Sequence, residues 1–185
     1  MPCAAPISLP LVCHPATPCA AVRALSVEVM TGLRLTYTLH ADLAQLRIPA
    51  PAPPGRADGL WQHTCFEAFI SAGAEASYRE FNFSPSGQWA VYAFSAERVR
   101  DLSAEHALAP PRAPRLHWAA TAGGLTLHAD IPATLLPART GAALHIGLSA
   151  VIEARDGSLS YWALRHPAAR PDFHQKSAWI GHLST

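Results

Sequence analysis

The amino-acid sequence predicts an all-β protein, a two-sheet antiparallel β-sandwich with little helix. Three observations carry this expectation. Apolar residues mostly alternate with polar ones instead of recurring at helical spacing. Seventeen prolines and 11 glycines cut the 185 residues into short segments. Nowhere do strand and helix patterns alternate as they do in a parallel βαβ sheet.

The segments follow in order. Leu33, Leu35, Tyr37 and Leu39 point one way and Arg34, Thr36, Thr38 and His40 the other. This is a strand with one wet face, turned across Thr31-Gly32 from a partner around Val22 to Met30. Pro49 to Gly59, with Pro49, Pro51, Pro53 and Pro54 in close succession, cannot supply ladder N–H groups and reads as a surface loop. Strands follow at Cys65 to Ser71, Tyr78 to Ser84 and Gln88 to Phe94, the last two joined by Ser84-Pro85-Ser86-Gly87. The polar region Ser95 to Ala107 is the place for the only short helix, and Pro110 to Pro114 then separates two groups of strands. Leu125, Leu127, Ala129 and Ile131 alternate with Thr126, His128 and Asp130, and Gly123-Gly124 offers a tight turn back to Leu116 to Ala120. Leu144, Ile146, Leu148, Ala150 and Ile152 alternate again before Arg155-Asp156-Gly157 turns into Ser160 to Leu164. The whole chain, 1–185, reads as one domain.

Composition excludes several classes. Half the residues are hydrophobic and 15% are charged, which argues for a packed core and against disorder. Lys plus Arg (14) nearly balance Asp plus Glu (13), giving a net charge of +1. The cations are scattered, so no patch suited to displacing counterions from nucleic acid is expected. No apolar run approaches the ~20 residues that cross a bilayer, and no membrane partner is expected. No Lys or Arg precedes Arg23, and Pro2, Pro6, Pro10, Pro15 and Pro18 interrupt the place for an apolar signal core; the expected location is the cytoplasm. Cys3, Cys13, Cys19 and Cys65 are too few and too bunched for a disulfide scaffold and read as structural thiols.

The chemistry concentrates between Leu60 and Phe94. Phe66, Ala68 and Ile70 share one face of a strand, with Cys65, Glu67 and Phe69 on the other. Arg79, Phe81 and Phe83 likewise alternate with Tyr78, Glu80, Asn82 and Ser84. If the two strands are neighbours, Glu67 lies near Glu80 or Asn82, with the register open. Carboxylates, an amide and the Trp61 indole on one sheet face suit a sugar, whose C–H face packs on Trp while its hydroxyls meet fixed donors and acceptors. The plainer reading is a solvated face with a cross-strand charge pattern and Trp61 as packing.

The same block resembles a known family. Trp61, followed six positions later by Glu67 in F-E-A-F-I, then Y-R-E-F-N-F-S-P-S-G-Q-W, is similar to the DOMON-like superfamily, related to the family-9 carbohydrate-binding modules. The closing SYWALRHPAARPDFHQKSAWIGHL resembles the end of small bacterial DOMON-like proteins, so the likeness runs from about His14 to Leu183. It implies a β-sandwich whose cleft binds a sugar or haem without catalysis. In the modules two Trp rings clamp a terminal sugar while Glu, Arg and Asn hold its hydroxyls. Trp61, Glu67 and Asn82 match Trp, Glu and Asn of that pattern, whereas Glu80 stands where the modules carry Arg. The second ring falls to Trp162, with Trp179 as the alternative.

Other readings stay open. Arg165, His166 and Lys176, in a tail segment that Pro167 and Pro171 keep from regular pairing, could supply the positive charge that Glu80 removes. Ten histidines invite a metal or haem, yet there is no H-E-x-x-H or C-x-x-C, and the only methionines are Met1 and Met30; no metal site and no cofactor is expected, and calcium is left open. Glu67 and Glu80 could act as a glycosidase pair if ~5–5.5 Å apart, but no catalytic residue is assigned, and neither a G-x-S-x-G elbow nor a phosphate loop is present. A protein-interaction module is the third class.

Overall fold

The computed structural model describes residues 6–108, 113–138 and 143–183. Cys3 and the start of the predicted break at Pro110 lie outside them. The elements in chain order are β1 (Ile7–Cys13), β2 (Val22–Met30), β3 (Arg34–Ala41), β4 (Gly55–Arg56), β5 (Cys65–Ala72), β6 (Tyr78–Phe83), β7 (Gln88–Ala96), β8 (Val99–Arg100), α1 (Leu102–His106), β9 (Arg115–Thr121), β10 (Gly124–Asp130), β11 (Leu144–Glu153), β12 (Leu159–Ala163) and β13 (Ile180–Leu183).

The three hairpins expected from alternation and turn residues form: β2 with β3, β9 with β10, and β11 with β12. The first turns through Gly32 and Leu33, both at positive φ (78° and 56°). Leu33 thus sits in the turn and not in the strand, yet its side chain is fully buried. The short helix falls inside the predicted segment, with the Asp101 side chain accepting from the Ala104 N–H at 2.9 Å as its N-cap.

The strands pair along one path, β4-β7-β6-β5-β11-β12-β1-β2-β3-β10-β9, with β8 attached to β7 and β13 to β11. The expectation of two separate antiparallel sheets is therefore corrected to one strongly curled, mixed sheet. Its continuity comes from β1, which pairs with β2 from Ile7 to Leu11 and with β12 through Val12 and Cys13. Pro10, which cannot donate to a ladder, lies in the part of β1 that has β2 alone as neighbour. Among the described residues the single parallel pair, β4 with β7, makes the sheet mixed.

The curl brings the two halves face to face over one apolar core. Val27, Leu35, Leu39 and Leu127 pack with Phe66, Ile70, Phe81, Phe83 and Leu148 in the same cluster. Tyr37 spans the two halves: its ring lies 5.1 Å from Phe66 and its hydroxyl donates to the Glu67 carbonyl at 2.7 Å. That bond satisfies a buried phenol that would otherwise cost ~1–3 kcal/mol.

The β9–β10 turn carries a sharp test. Gly124 has φ +150°, and a Cβ there would overlap the backbone carbonyl of Leu39 on β3. Gly124→Ala is expected to cost about 2–4 kcal/mol in urea unfolding. A loss below ~0.5 kcal/mol would mean that β3 and β10 are not held in this register.

Candidate functional site

The period of two sends the predicted polar row away from the core. Glu67 stands opposite Asn82 across β5–β6 and opposite Ser149 across β5–β11; Glu80 stands between Phe69 and Tyr92. An antiparallel face of this kind is usually wet. Here it is covered, and all eight residues of β5 are buried. One cover is the 49–62 segment, fixed to the sheet by Ala52 N–H to the Ser86 carbonyl and Ala57 N–H to the Trp89 carbonyl, both 2.9 Å. The other is the 171–179 segment, whose Phe173 and Trp179 join Phe69, Tyr78, Tyr92 and Phe94 in a second apolar cluster.

Between the covers the face opens as a cleft of about 1050 Å³. Glu67, Glu80 and Tyr92 form its floor, and Trp61, Tyr161, Phe173, His174, Arg98 and Arg100 are among its walls. Trp61 lies on a 3-10 turn, Leu60–Gln62, which Gly59 opens with φ 74°. It is 50% exposed, so one side of the indole is free at the mouth.

Burial dominates the electrostatics of the floor. Desolvation, with the nearby Glu80 charge, pushes the Glu67 carboxyl well above the usual range, against a 3.3 Å bond from Ser149 Oγ. Desolvation raises Glu80 to about 7 although Asn82 Nδ2 donates to its Oε1 at 2.8 Å and Arg100 and Arg98 lie near. The same burial, helped by Arg98, holds the His174 imidazole down at about 4. His174 Nε2 is 3.8 Å from Glu80 Oε2. Both arginines are tied to acids: Arg98 to Asp172 at 2.7 Å, and Arg100 to Glu105 at 2.8 and 2.6 Å while its guanidinium lies 4.6 Å over the Tyr92 ring. Tyr92 donates to Asp58 Oδ1 at 3.1 Å.

The sequence matches no protein-family model and no curated protein. The fold has a solved counterpart. A crystal structure of a protein from Bacteroides uniformis, described as a "putative carbohydrate-binding protein", superposes with TM-score 0.65 over 94% of this chain and 84% of that one. At 16% identity the likeness is one of fold.

On this shared fold the residues singled out from sequence divide. Trp61, Glu67 and Glu80 line the cleft, and Asn82 lies buried behind Glu80. Trp162 does not reach it. On β12 the cleft side belongs to Tyr161, and the adjacent Trp162 points into the core, its Nε1–H donating to Ser160 Oγ at 3.0 Å. Trp179 is also packed away, against Phe69 and Tyr78, with its Nε1–H donating to the Phe173 carbonyl at 3.0 Å. Arg165 is exposed and is not among the lining residues. His166 approaches the Val12 carbonyl at 2.9 Å and packs edge-on to His14. Lys176 bonds the Glu75 carbonyl and lies over the Tyr78 and Trp179 rings. The positive charge beside Glu80 therefore comes from Arg98 and Arg100, which sequence reasoning passed over, as it did His174, Phe173, Tyr161 and Asp58. Tyr92 alone carried a readable signal, since it shares the parity of Gln88 in the alternation of β7. Among the described residues no group of three or more His, Cys, Asp or Glu is arranged to hold a metal, and Met30, on β2, does not line the cleft.

The floor predicts a pH effect on stability. Folded Glu80 keeps its proton up to about pH 7, against an ordinary value of 4.5. The stability its protonated form contributes is full below about 4.5 and is lost as pH rises through about 7, up to about 3 kcal/mol. His174 slopes oppositely, costing stability as pH falls from 6.5 through about 4. Glu80→Gln keeps an acceptor for Asn82 and removes the alkaline loss. Its melting temperature at pH 8 is expected to exceed the wild type by roughly 5–10 °C, with the gap closing at pH 4.5. Equal gaps at the two pH values would take Glu80 out of the desolvated floor.

Proposed function

We propose that this chain is a non-catalytic binding protein for a small hydroxyl-rich ligand, a sugar or sugar derivative, and that its curled sheet is of DOMON-like type, related to the family-9 carbohydrate-binding modules. One observation carries the reading: a half-exposed indole, Trp61, stands at the mouth of a cleft whose floor is a row of buried carboxyl groups. A pyranose presents apolar C–H groups on its faces and hydroxyls around its rim. The first pack on Trp61, and the second meet Glu67, Glu80 and Tyr92. Glu67, whose burial favours the protonated form, both donates and accepts in that form, as a sugar hydroxyl does. Asn82 holds Glu80 in place from behind. The description given to the Bacteroides uniformis protein of the same fold supports the ligand class.

A second reading is glycoside hydrolysis, favoured by the raised carboxyls of Glu67 and Glu80 on one face. A neutral acid beside an ionisable carboxylate is the pairing that such chemistry uses.

Tryptophan fluorescence tests both. Of the five tryptophans, Trp61 is the exposed one, so its signal should report on the cleft. Titration with mono- and disaccharides and amino sugars is expected to saturate, and Trp61→Ala should weaken binding at least ~10-fold with an unchanged fold. Unchanged affinity in the variant would remove Trp61 from the site. Release of reducing sugar from a glycoside, lost in Glu80→Gln, would replace binding with hydrolysis. A response to haem alone would redirect the cleft to that cofactor.

A further inference from the structure

We infer that His174 and Glu80 form a matched donor and acceptor that recognises two adjacent hydroxyls of the ligand, a vicinal diol. The inference rests on the carbohydrate reading and names the part of the sugar that the floor selects.

The hydrogen-bond chain behind His174 fixes its proton. The backbone N–H of Arg98 donates to the Tyr78 hydroxyl oxygen at 3.0 Å, and that hydroxyl lies 2.7 Å from His174 Nδ1. An N–H can only donate, so the phenol oxygen accepts from Arg98; with that in-plane lone pair taken, the phenol's own proton is directed to the other side, where Nδ1 is the acceptor within reach. The imidazole proton then sits on Nε2. Tyr78 keeps its proton because burial pushes its phenol to about 12. The imidazole stays neutral above about pH 4 for the same reason, with Arg98 facing it and Asp172 opposing.

The ring cannot turn to satisfy itself. Phe69 and Phe94 stand edge-on to it, each with ring centroids 5.2 Å away, and Tyr78 closes a third side. The backbone N–H of His174 is bonded to Asp172 Oδ1 at 3.1 Å. Nε2 is thereby aimed at Glu80 Oε2 from 3.8 Å, beyond the reach of a hydrogen bond. The other Glu80 oxygen is held by Asn82. Above about pH 7, where Glu80 is ionised, one N–H donor and one carboxylate acceptor thus stand side by side at the cleft without satisfying each other.

Neighbouring hydroxyls on a sugar ring fit that pair. One oxygen accepts from Nε2–H while the next hydroxyl donates to Oε2. An ammonium group cannot accept from Nε2–H, and a carboxylate cannot donate to Glu80 and is repelled by it. The pair therefore favours a diol over an amino or acidic group at this position.

The test has two parts. In ligand-free protein, long-range ¹H–¹⁵N spectra should show the His174 proton on Nε2, and Tyr78→Phe should mix the two tautomers. A proton on Nδ1 in the wild type would overturn the inference whatever the ligand. Glucose, galactose, mannose, xylose and cellobiose are then titrated at pH 8, where Glu80 is ionised, followed by the deoxy analogues of the sugar that binds. Loss of either of two adjacent hydroxyls is expected to weaken binding ~10- to 100-fold in the wild type. The same loss should shrink to a few-fold in His174→Ala, as coupled groups require. If deoxy analogues lose equally in both proteins, the diol assignment fails while sugar binding stands. If no sugar binds, both fail together.

Discussion

The structure depends on β5 being covered on both faces. Its inward residues Phe66, Ala68 and Ile70 complete the main core, and its outward residues Glu67 and Phe69 lie beneath the 49–62 and 171–179 segments. A strand whose alternation prescribes one wet face is thus desolvated on that face too. Every buried side-chain nitrogen and oxygen among the described residues still finds a hydrogen-bond partner, which is what makes the burial tolerable. What burial opposes here is charge. At 3.8 Å an ionised Glu80 and His174 would attract by roughly 4 kcal/mol at an effective dielectric of about 20, whereas desolvation costs several kcal/mol for each ion. The carboxyl accordingly moves up and the imidazole down, away from an ion pair.

The local parts of this fold were legible in the sequence because they depend on neighbours. Thr31-Gly32, Gly123-Gly124 and Arg155-Asp156-Gly157 each join strands that pair with the adjacent segment. The curl of the sheet was not legible, because it depends on partners far apart in the chain such as Val12 and Ala163. The N-terminal prolines are weighed only against an apolar signal core, and no strand is expected before Val22. β1 forms there nonetheless, because Pro10 occupies its one-sided part, where a missing N–H leaves no ladder unfilled. The two-residue strands β4 and β8 are too short to carry any pattern.

The candidate site divides along the same line. Glu67, Glu80 and Asn82 follow from strand parity alone, and parity also explains the misplacement of Trp162. In Leu159–Ala163 the sequence offers Ser160 and Trp162 on one face and Leu159, Tyr161 and Ala163 on the other, so neither face looks more apolar. Pairing with β11 decides it, putting Trp162 opposite Ala150 on the core side. The walls were invisible for a different reason. Arg98, Arg100 and His174 owe their positions to a β-bulge at Phe94/Ala96 and to a loop that returns from the far end of the chain.

Floor and walls therefore divide the work of recognition between strands and loops. Strands hold Glu67 and Glu80 at fixed spacing, and loops set what can approach them. The two are locked together at Arg98, a non-glycine residue at φ 58°. Left-handed backbone is unfavourable there without compensation. The turn gives Arg98 two bonds in return: its N–H reaches the Tyr78 hydroxyl on β6 and its guanidinium reaches Asp172 beside His174. Through that one turn residue, β6, the β7–β8 connection and the 171–174 loop share a hydrogen-bond network. A strained residue placed where strand floor and loop wall meet makes the position of His174 a property of the sheet and not of the loop alone.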